Sequence, residues 1–169
     1  SVYTDEAAMD VFLMVYAGLL NKKIVAALQR HGVNAVGLSG VDGRLWEAKR
    51  KEAVYAVEGE KTLLITDNLT GKVQNVNAGL ITLLTDQDYV PVVCPPAISL
   101  DQKIVNTDND FATSVMAEAL GIKDMVVLFE APGMLRDFKD PTSVIHEIKQ
   151  AELENYLPYA QGRMKKKLL

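Results

Sequence analysis

The chain has 169 residues, of which 49% are hydrophobic and 24% charged, a composition typical of one soluble globular domain. This composition excludes a disordered chain and a collagen-like chain. Lys and Arg number 18 against 22 Asp and Glu, and the resulting net charge of −4 leaves no chain-wide basic field to attract nucleic acid or anionic lipid. The single Cys94 cannot form an intrachain disulfide, which favours a reducing cytoplasm.

The first element predicted is a long amphipathic helix over Asp5–Arg30. Thr4 is a suitable N-cap, and acidic residues in the first turn complement the helix dipole. Apolar residues then recur at helical spacing as far as Gly32. The apolar stretch in this helix is interrupted by Tyr16 and Gly18 and follows acidic residues, so we expect neither a membrane span nor a secretion signal.

The remaining pattern predicts an α/β domain. The apolar run 35–38 predicts a buried strand after the first helix. The elements predicted beyond it are antiparallel hairpins at the sheet margin over Leu45–Leu69, a helix over Asn77–Leu84, a strand over Val90–Cys94 ended by Pro95 and Pro96, a helix from Asp110 to Gly121, a strand over Met125–Phe129, a helix over Asp140–Lys149 and a helical piece from Ala151.

Strands that alternate with helices imply right-handed parallel crossovers, and open parallel sheets bind ligands beyond the carboxyl ends of their strands. This rule directs attention to three loops: Ser39–Gly43, Pro95–Asp110 and Glu130–Asp137. We find no internal repeat and no second domain.

The segment Ile104–Asp110 is the most polar of these loops. It places two carboxylates and two amides, from Asn106 to Asp110, directly before a helix. Capping by Asp108 or Asp110 is one interpretation. A cap uses one side chain, so a binding function for the others is the alternative.

The densest basic run of this acidic chain, Arg163–Lys167, lies close to its last residue, Leu169. A solvated charged end is one interpretation, and a lysine that reaches a nucleotide phosphate is the other. His31 and His146 are isolated from other metal-binding residue types, and Cys94 lies on an apolar strand, so no protein metal site is predicted.

Several segments together resemble the amino-acid kinase family, in its acetylglutamate-kinase-like branch. They are Tyr3–Thr4 with the following helix and its Asn21 and Lys22, the run Ala35–Gly43, the motif Thr70–Val73, the loop Val105–Asp110 and the run Met164–Leu169. Their order and spacing cover nearly the whole chain. The resemblance implies a three-layer α/β sandwich with a mostly parallel central sheet, of which residues 1–169 form the central portion of a single domain.

The resemblance also implies site residues. Asp110 and Lys167 correspond to the catalytic pair, in which the aspartate organises the lysine at the transferred phosphoryl group. Asn106 and Asp108 fall at the acceptor site. Glu130, Gly133 and Lys167 fall at the nucleotide, although Glu130 replaces the usual Asp and Phe129 the usual Ser or Thr.

The implied activity is ATP- and Mg²⁺-dependent phosphorylation of the side-chain carboxylate of α-aminoadipate, or glutamate, held on a small acidic carrier protein. A cytoplasmic homodimer with no nucleic-acid or membrane partner is expected. The alternatives are phosphorylation of free N-acetylglutamate and a non-catalytic α/β ligand-binding module.

The family's N-terminal phosphate loop and the later elements of its nucleotide lobe have no counterpart in residues 1–169, so we expect these residues alone to show no turnover. The basic string Arg44, Lys49, Arg50 and Lys51 is a candidate surface for docking the carrier, and a merely solvated hairpin face is the alternative.

Overall fold

The computed structural model describes residues 3–51, 53–58, 61–130, 132–160 and 164, and the chain divides into two compact units, Ser1–Lys123 and Asp124–Leu169. The helices of the first unit are α1 Glu6–Arg30, α2 Ala78–Thr85 and α3 Asn109–Ala119. Its strands are β1 Ala35–Gly40, β2 Trp46–Arg50, β3 Val54–Glu58, β4 Lys61–Ile65, β5 Thr70–Val76, β6 Val90–Ser99 and β7 Ile104–Thr107.

The first helix, α1, confirms the predicted long helix. Its N-cap is Asp5, whose carboxylate accepts a hydrogen bond of 2.8 Å from the backbone N–H of Ala8. The prediction of Thr4 as the cap is wrong, because Thr4 is buried and hydrogen-bonded to residues far along the chain. The middle of the helix, Leu13–Leu20, is wound as a π-helix between two α-helical ends.

One side of α1 is held on the sheet by Asn21. The Asn21 side chain is 2% exposed, and its Nδ2 donates to the carbonyl oxygens of Val92 at 2.8 Å and Leu38 at 3.3 Å. A Cβ atom on Gly37 of β1 would clash with Asn21 Oδ1 and lie 2.7 Å from Lys22 Nζ. Glycine at this position therefore permits the close approach of helix and strand.

By length and composition α1 could also cross a bilayer, since its most apolar window has a mean hydropathy of 1.6. Length and composition are weak criteria, because the helices of water-soluble proteins also meet them. In this fold the hydrogen bonds of Asn21 hold the helix against β1 and β6.

The main sheet has the strand order β1-β6-β2-β5-β7 and mixes parallel and antiparallel pairs. Strand β6 is parallel to β1 and β2, and β5 is parallel to β7. The β2/β5 and β6/β7 pairs are antiparallel, so β7 pairs with both β5 and β6. The α/β class is thus confirmed. The β3–β4 hairpin forms as predicted, whereas β2 lies inside the sheet and not at its margin.

Two predicted boundaries near the polar loop are wrong. Strand β6 continues through Pro95 and Pro96 to Ser99, because the prolines fall in a register shift: Cys94 pairs with Ser39 and Ala97 with Gly40. Residues without an N–H are tolerated where the ladder is interrupted. The segment 104–107, predicted as loop, is strand β7, because its backbone pairs with β5 and β6.

The core lies where β2, β5, β6 and β7 meet helices α2 and α3. Leu38 of β1 packs against it, whereas the adjacent Gly37 faces α1, so helices pack on both sides of this strand. Phe111, predicted on the apolar face of α3, is 37% exposed. The buried core residues are Leu45, Trp46, Ala48, Val73, Ile81, Ala97, Val105 and Ala112.

The second unit is described by itself. A hairpin pairs β8 Met134–Leu135 with β9 Val144–Ile145, and a helical segment follows that includes α4 Leu153–Tyr156. The helical piece predicted from Ala151 is therefore confirmed.

The predicted strand over Met125–Phe129 is wrong. These residues form no strand, and Val126 and Leu128 are 85% and 90% exposed. An apolar run becomes a strand only when another strand accepts its backbone hydrogen bonds, and none of the described strands pairs with it. The right-handed crossover expected to lead into this strand is likewise not formed.

The predicted helix over Asp140–Lys149 is also wrong. Asp140 Oδ1 accepts hydrogen bonds from the backbone N–H of Thr142 at 2.9 Å and from its Oγ1 at 2.6 Å. These bonds close a turn and do not cap a helix, because the residues that follow do not adopt helical backbone. The turn leads into β9.

Candidate active site

Strand β7 and helix α3 position the predicted polar loop. Val105 of β7 is fully buried in the core, and Asn106 is opposite Thr70 of β5. The loop 106–110 therefore begins in the main sheet and ends in the first turn of α3. A paired strand and a capped helix hold its backbone at both ends.

Asn106 connects this loop to the start of α1. Its Nδ2 donates to Thr4 Oγ1 at 3.4 Å, across 102 residues of sequence, and its backbone N–H donates to the carbonyl oxygen of Leu69 at 2.8 Å. Leu69 N–H in turn donates to the Thr4 carbonyl oxygen at 2.7 Å, and Thr4 N–H donates to Asn68 Oδ1 at 3.3 Å. The chain just before α1 thus lies beside the predicted acceptor asparagine.

Sequence reasoning misses Thr4 and Asn68 as part of this site. The sequence pattern assigns Thr4 to helix capping and Asn68 to a turn. In the fold, Asn68 is fully buried and donates through Nδ2 to Thr70 Oγ1 at 2.5 Å. The residues around Asn68 are compatible with a turn and with a buried position, so no local signal in the sequence identifies it as buried.

The two aspartates of the loop have different positions. Asp108 is the N-cap of α3, and its Oδ1 accepts a hydrogen bond of 3.3 Å from the backbone N–H of Phe111. Asp110 lies in the first turn and is half-buried, and its carbonyl oxygen accepts a bond of 3.0 Å from Ser114 Oγ. Capping of α3 therefore accounts for Asp108 and not for Asp110.

A cleft of about 450 Å³ lies next to the start of α1. Three acidic residues and one lysine give its lining a net negative charge, and the lining residues are Asp5, Glu6, Ala7, Asp67, Leu69 and Lys103. The hydroxyl of Tyr3 donates to both carboxylate oxygens of Asp67 at 3.2 and 3.3 Å. Partial burial and the charge of Asp67 raise the pKa of Tyr3. This negative lining does not favour a phosphate group.

The remaining predicted site residues lie either in the second unit or outside the described residues. Glu130 and Gly133 belong to the second unit, where Glu130 is exposed and Gly133 has a φ of 149°. A Cβ on Gly133 would lie 2.9 Å from Val144 Cγ1. Lys167 lies outside the described residues. The loop 106–110 and Thr4 are therefore the part of the site with established geometry.

No group of three or more His, Cys, Asp or Glu side chains suited to a metal ion occurs in the part of the chain that the structure describes. Mg²⁺ that is held mainly through substrate phosphates and water does not need such a cage. His31 and His146 are exposed, and Cys94 is half-buried, with its thiol pKa raised by burial.

A polar cluster at the β6–β7 turn contains a carboxylate, Asp101, whose pKa is lowered. Asp101 accepts a hydrogen bond of 2.6 Å from Ser99 Oγ and one of 2.8 Å from Arg50 Nε. These bonds favour the ionised form and hold the pKa of Asp101 below its usual value of 3.8. The cluster ties β2 to the turn that leads into β7 and the polar loop.

Because Asp101 has a lowered pKa in the folded state, its contribution to stability is present above the unfolded pKa and is lost as pH falls through the folded pKa. We expect the Tm of Asp101→Asn to lie slightly below that of the wild type at pH 7 and to converge with it as the pH falls through the folded-state pKa of Asp101. Thermal unfolding between pH 2 and 7 checks this, with Asp86→Asn, an exposed carboxylate at the end of α2, as control. A constant difference at all pH values would contradict the assignment.

Comparison with known proteins identifies the family of this chain. The model of the family described as "Amino acid kinase family" matches residues 1–169. The chain is 47% identical over 169 residues to the [LysW]-aminoadipate kinase of Deinococcus radiodurans, covering 100% of this chain and 58% of that protein. It is 42% identical over 168 residues to the [LysW]-aminoadipate kinase of Thermus thermophilus, covering 98% and 62%.

An acetylglutamate kinase of Methanopyrus kandleri is 40% identical over 151 residues, covering 89% of this chain and 59% of that protein. The chain thus spans about three fifths of the length of these curated relatives.

Solved structures show the same fold at low sequence identity. The N-acetylglutamate synthase of Neisseria gonorrhoeae superposes with a TM-score of 0.76 at 20% identity, over 98% of this chain and 35% of that chain. The protein smu.665 of Streptococcus mutans superposes with a TM-score of 0.75 at 16% identity, over 98% and 62%. With the family match over all 169 residues, these findings lead to one conclusion: the chain belongs to the amino acid kinase family.

Proposed function

We propose that this chain acts in an ATP-dependent kinase that phosphorylates the side-chain carboxylate of α-aminoadipate, or glutamate, attached to a carrier protein. The observation that supports this most strongly is the identity of 47% and 42%, over nearly the whole chain, to relatives named [LysW]-aminoadipate kinase. The corresponding pathways, in the cytoplasm, are lysine biosynthesis for aminoadipate and arginine biosynthesis for glutamate.

The acceptor carboxylate needs no general base, because a side-chain carboxyl group with a pKa of about 4.3 is already ionised near pH 7. One of its oxygens attacks the γ-phosphorus of ATP, the bond from that phosphorus to the β,γ-bridging oxygen breaks, and ADP leaves with the bonding electrons. The obstacle is repulsion between two anions. Catalysis therefore consists of alignment and charge neutralisation.

In this proposal Asn106 contacts the acceptor together with Asp108, whose carboxylate also caps α3. Asp110 orients Lys167, whose ammonium group neutralises charge on the transferred phosphoryl group. The rigid backbone of loop 106–110 and the bond from Asn106 to Thr4 support this assignment of the acceptor end. Glu130 and Gly133 are assigned to the nucleotide. Mg²⁺, when bound with ATP, supplies further positive charge at the phosphates.

We assign the whole chain to one amino-acid kinase domain with a three-layer architecture, in which α1 forms a contact with a second copy. Large apolar side chains of α1 remain exposed and support this assignment; they include Val11, Met14, Leu19, Leu20 and Ile24. Sedimentation of the natural protein at micromolar concentration tests the homodimer, and a monomer would contradict it.

The acceptor is tested by supplying ATP with carrier-bound aminoadipate, carrier-bound glutamate or free N-acetylglutamate, and by trapping the acyl phosphate product with hydroxylamine. The natural protein carrying this sequence is the catalyst. We expect product from carrier-bound aminoadipate. Product from N-acetylglutamate alone would favour the alternative indicated by the Methanopyrus kandleri relative, which is 40% identical. No product from any acceptor would favour a non-catalytic binding module.

A further inference from the structure

Asn106, the residue assigned to the acceptor, is held by hydrogen bonds from both its backbone and its side chain. Its backbone N–H donates to the carbonyl oxygen of Leu69 at 2.8 Å, and its Nδ2 donates to Thr4 Oγ1 at 3.4 Å. Val105, the preceding residue of β7, is fully buried in the core, so the Asn106 side chain points to the opposite face of the strand. Thr4 contacts it on that face.

Thr4 is fixed in place by its own backbone. It is 4% exposed, its N–H donates to Asn68 Oδ1 at 3.3 Å, and its carbonyl oxygen accepts a bond of 2.7 Å from the N–H of Leu69. These two bonds hold the segment before α1 against the chain that leads into β5. The position of the Thr4 hydroxyl group therefore does not depend on its contact with Asn106.

Two further polar residues complete the surroundings of Asn106. Asn68 is fully buried, and its Nδ2 donates to Thr70 Oγ1 at 2.5 Å. Thr70 is 3% exposed and lies opposite Asn106 in the β5/β7 pair. Residues opposite each other on neighbouring strands share a face of the sheet. We call Thr4, Asn68 and Thr70 the Thr4 network.

The side chains of the Thr4 network are hydrogen-bonded to one another or to Asn106. By contrast, the hydroxyl group of the adjacent Thr107 is buried and has no hydrogen-bond partner within the described ranges. Burial of a hydroxyl group is unfavourable unless it is hydrogen-bonded, and a bonded polar network rigidifies the groups that it joins. The Thr4 network therefore restrains the amide of Asn106.

The direction of the Asn106 amide matters because the proposed acceptor is a carboxylate. A carboxylate only accepts hydrogen bonds, so it requires the N–H side of the amide and is repelled by the amide oxygen. One of the two Nδ2 hydrogens of Asn106 is directed at Thr4 Oγ1, which leaves the second for the acceptor. The bond of 3.4 Å can shorten when the acceptor binds, as hydrogen bonds in active sites often do.

We propose that Thr4 is a positioning residue for acceptor binding, because its hydroxyl group orients the Asn106 amide while Asn68 fixes Thr4. This inference rests on the proposed function, since it takes Asn106 as a residue that binds the acceptor. The backbone of Thr4 holds the segment before α1, and its hydroxyl group contacts Asn106. Removal of the hydroxyl group alone therefore separates positioning from folding.

The kinetic test compares Thr4→Val, which keeps the shape of the side chain and removes the hydroxyl group, with Thr4→Ser, which keeps the hydroxyl group. The natural protein carrying this sequence is assayed with ATP and the aminoadipate-loaded carrier. We expect Thr4→Val to raise the KM for the loaded carrier about five- to tenfold, the effect of losing one hydrogen bond. The KM for ATP and kcat should change little, and Thr4→Ser should stay within about twofold of the wild type.

Ser99→Ala is the matched control. Ser99 is fully buried, and its hydroxyl group donates to Asp101 at 2.6 Å in the β6–β7 turn, at the other end of β7. This variant loses a buried, hydrogen-bonded hydroxyl group away from the acceptor loop. Its Tm should fall, because Asp101 loses a hydrogen bond, whereas its KM for the loaded carrier should equal that of the wild type.

A second measurement does not depend on turnover. The exchange of the Asn106 side-chain amide hydrogens with water, followed by NMR, reports how firmly this amide is held. We expect the exchange to be at least about threefold faster in Thr4→Val than in the wild type. Thr4→Ser and Ser99→Ala should leave it unchanged.

A wild-type KM for the loaded carrier in Thr4→Val, or wild-type exchange of the Asn106 amide, would overturn this inference and leave the proposed function intact. Equal rises in the KM for ATP and for the carrier, with a lower Tm, would also overturn it, since Thr4 would then have only a structural role. A wild type that uses only free N-acetylglutamate is assayed with that acceptor under the same expectations. A wild type that phosphorylates no acceptor would contradict the proposed function itself, and this inference with it.

Discussion

Replacement of Asp110 by Asn is expected to lower kcat by at least about a hundredfold, the effect typical of removing one preorganised charge from a reacting centre. The proposed function of Asp110 is to orient Lys167 at the transferred phosphoryl group. Asp110→Asn removes the negative charge and keeps the shape of the side chain. The KM for the acceptor should change little, because Asn106 and Asp108 are assigned to its binding.

The structure makes this test specific. The cap of α3 is Asp108 and not Asp110, so the change at Asp110 leaves the helix start intact and the Tm nearly unchanged. Glu118→Gln, an exposed charge removal near the C-terminal end of the same helix, is the matched control and should retain full turnover. The measurement is acyl phosphate formation under saturating ATP. Near-normal turnover of Asp110→Asn would reduce Asp110 to a residue of the first helical turn.

The second large effect is expected for Leu45→Ala, on stability and not on turnover. Leu45 is 0% exposed and belongs to the core that β2, β5 and β7 share with α2 and α3. Its carbonyl oxygen also accepts a hydrogen bond of 3.0 Å from the backbone N–H of Asn77, which caps α2. Truncation of a fully buried leucine leaves a cavity and costs about 2–5 kcal/mol.

For a domain of this size such a loss lowers the Tm on the order of 10 °C. Leu83→Ala removes the same atoms from a side chain of α2 that is 62% exposed, and it should cost less than about 0.5 kcal/mol. Differential scanning calorimetry of the three proteins measures both effects. Equal Tm shifts for the two variants would mean that Leu45 does not lie in the core described here.

The helices of the first unit were predictable because their signals are local. The apolar spacing of α1 and α2 and the glycine that ends α3 lie within a few turns of the residues they organise. The strand errors have the opposite cause. Whether the run 125–129 forms a strand depends on a partner strand, and no local pattern encodes one.

The candidate site divides in the same way. The polar loop 106–110 is evident in the sequence as four carboxylate and amide side chains in five positions before a helix, and the structure places it between β7 and α3. The hydrogen bond between Asn106 and Thr4, across 102 residues, is not evident in the sequence. The residues around Thr4 are equally compatible with a helix cap and with a buried threonine. The assignment of Lys167 to this site remains a prediction.

The amino-acid sequence by itself determined the α/β class, the long first helix, the polar loop before α3 and membership of the amino acid kinase family, because periodicity, capping residues and ordered motifs are properties of the chain. The tertiary structure alone decided that Thr4 lies beside Asn106, that Asp108 and not Asp110 caps α3, and that Lys49 lies opposite Lys72. The contacts of Thr4 and Lys49 depend on strand register and helix docking, which arise from packing between segments far apart in sequence.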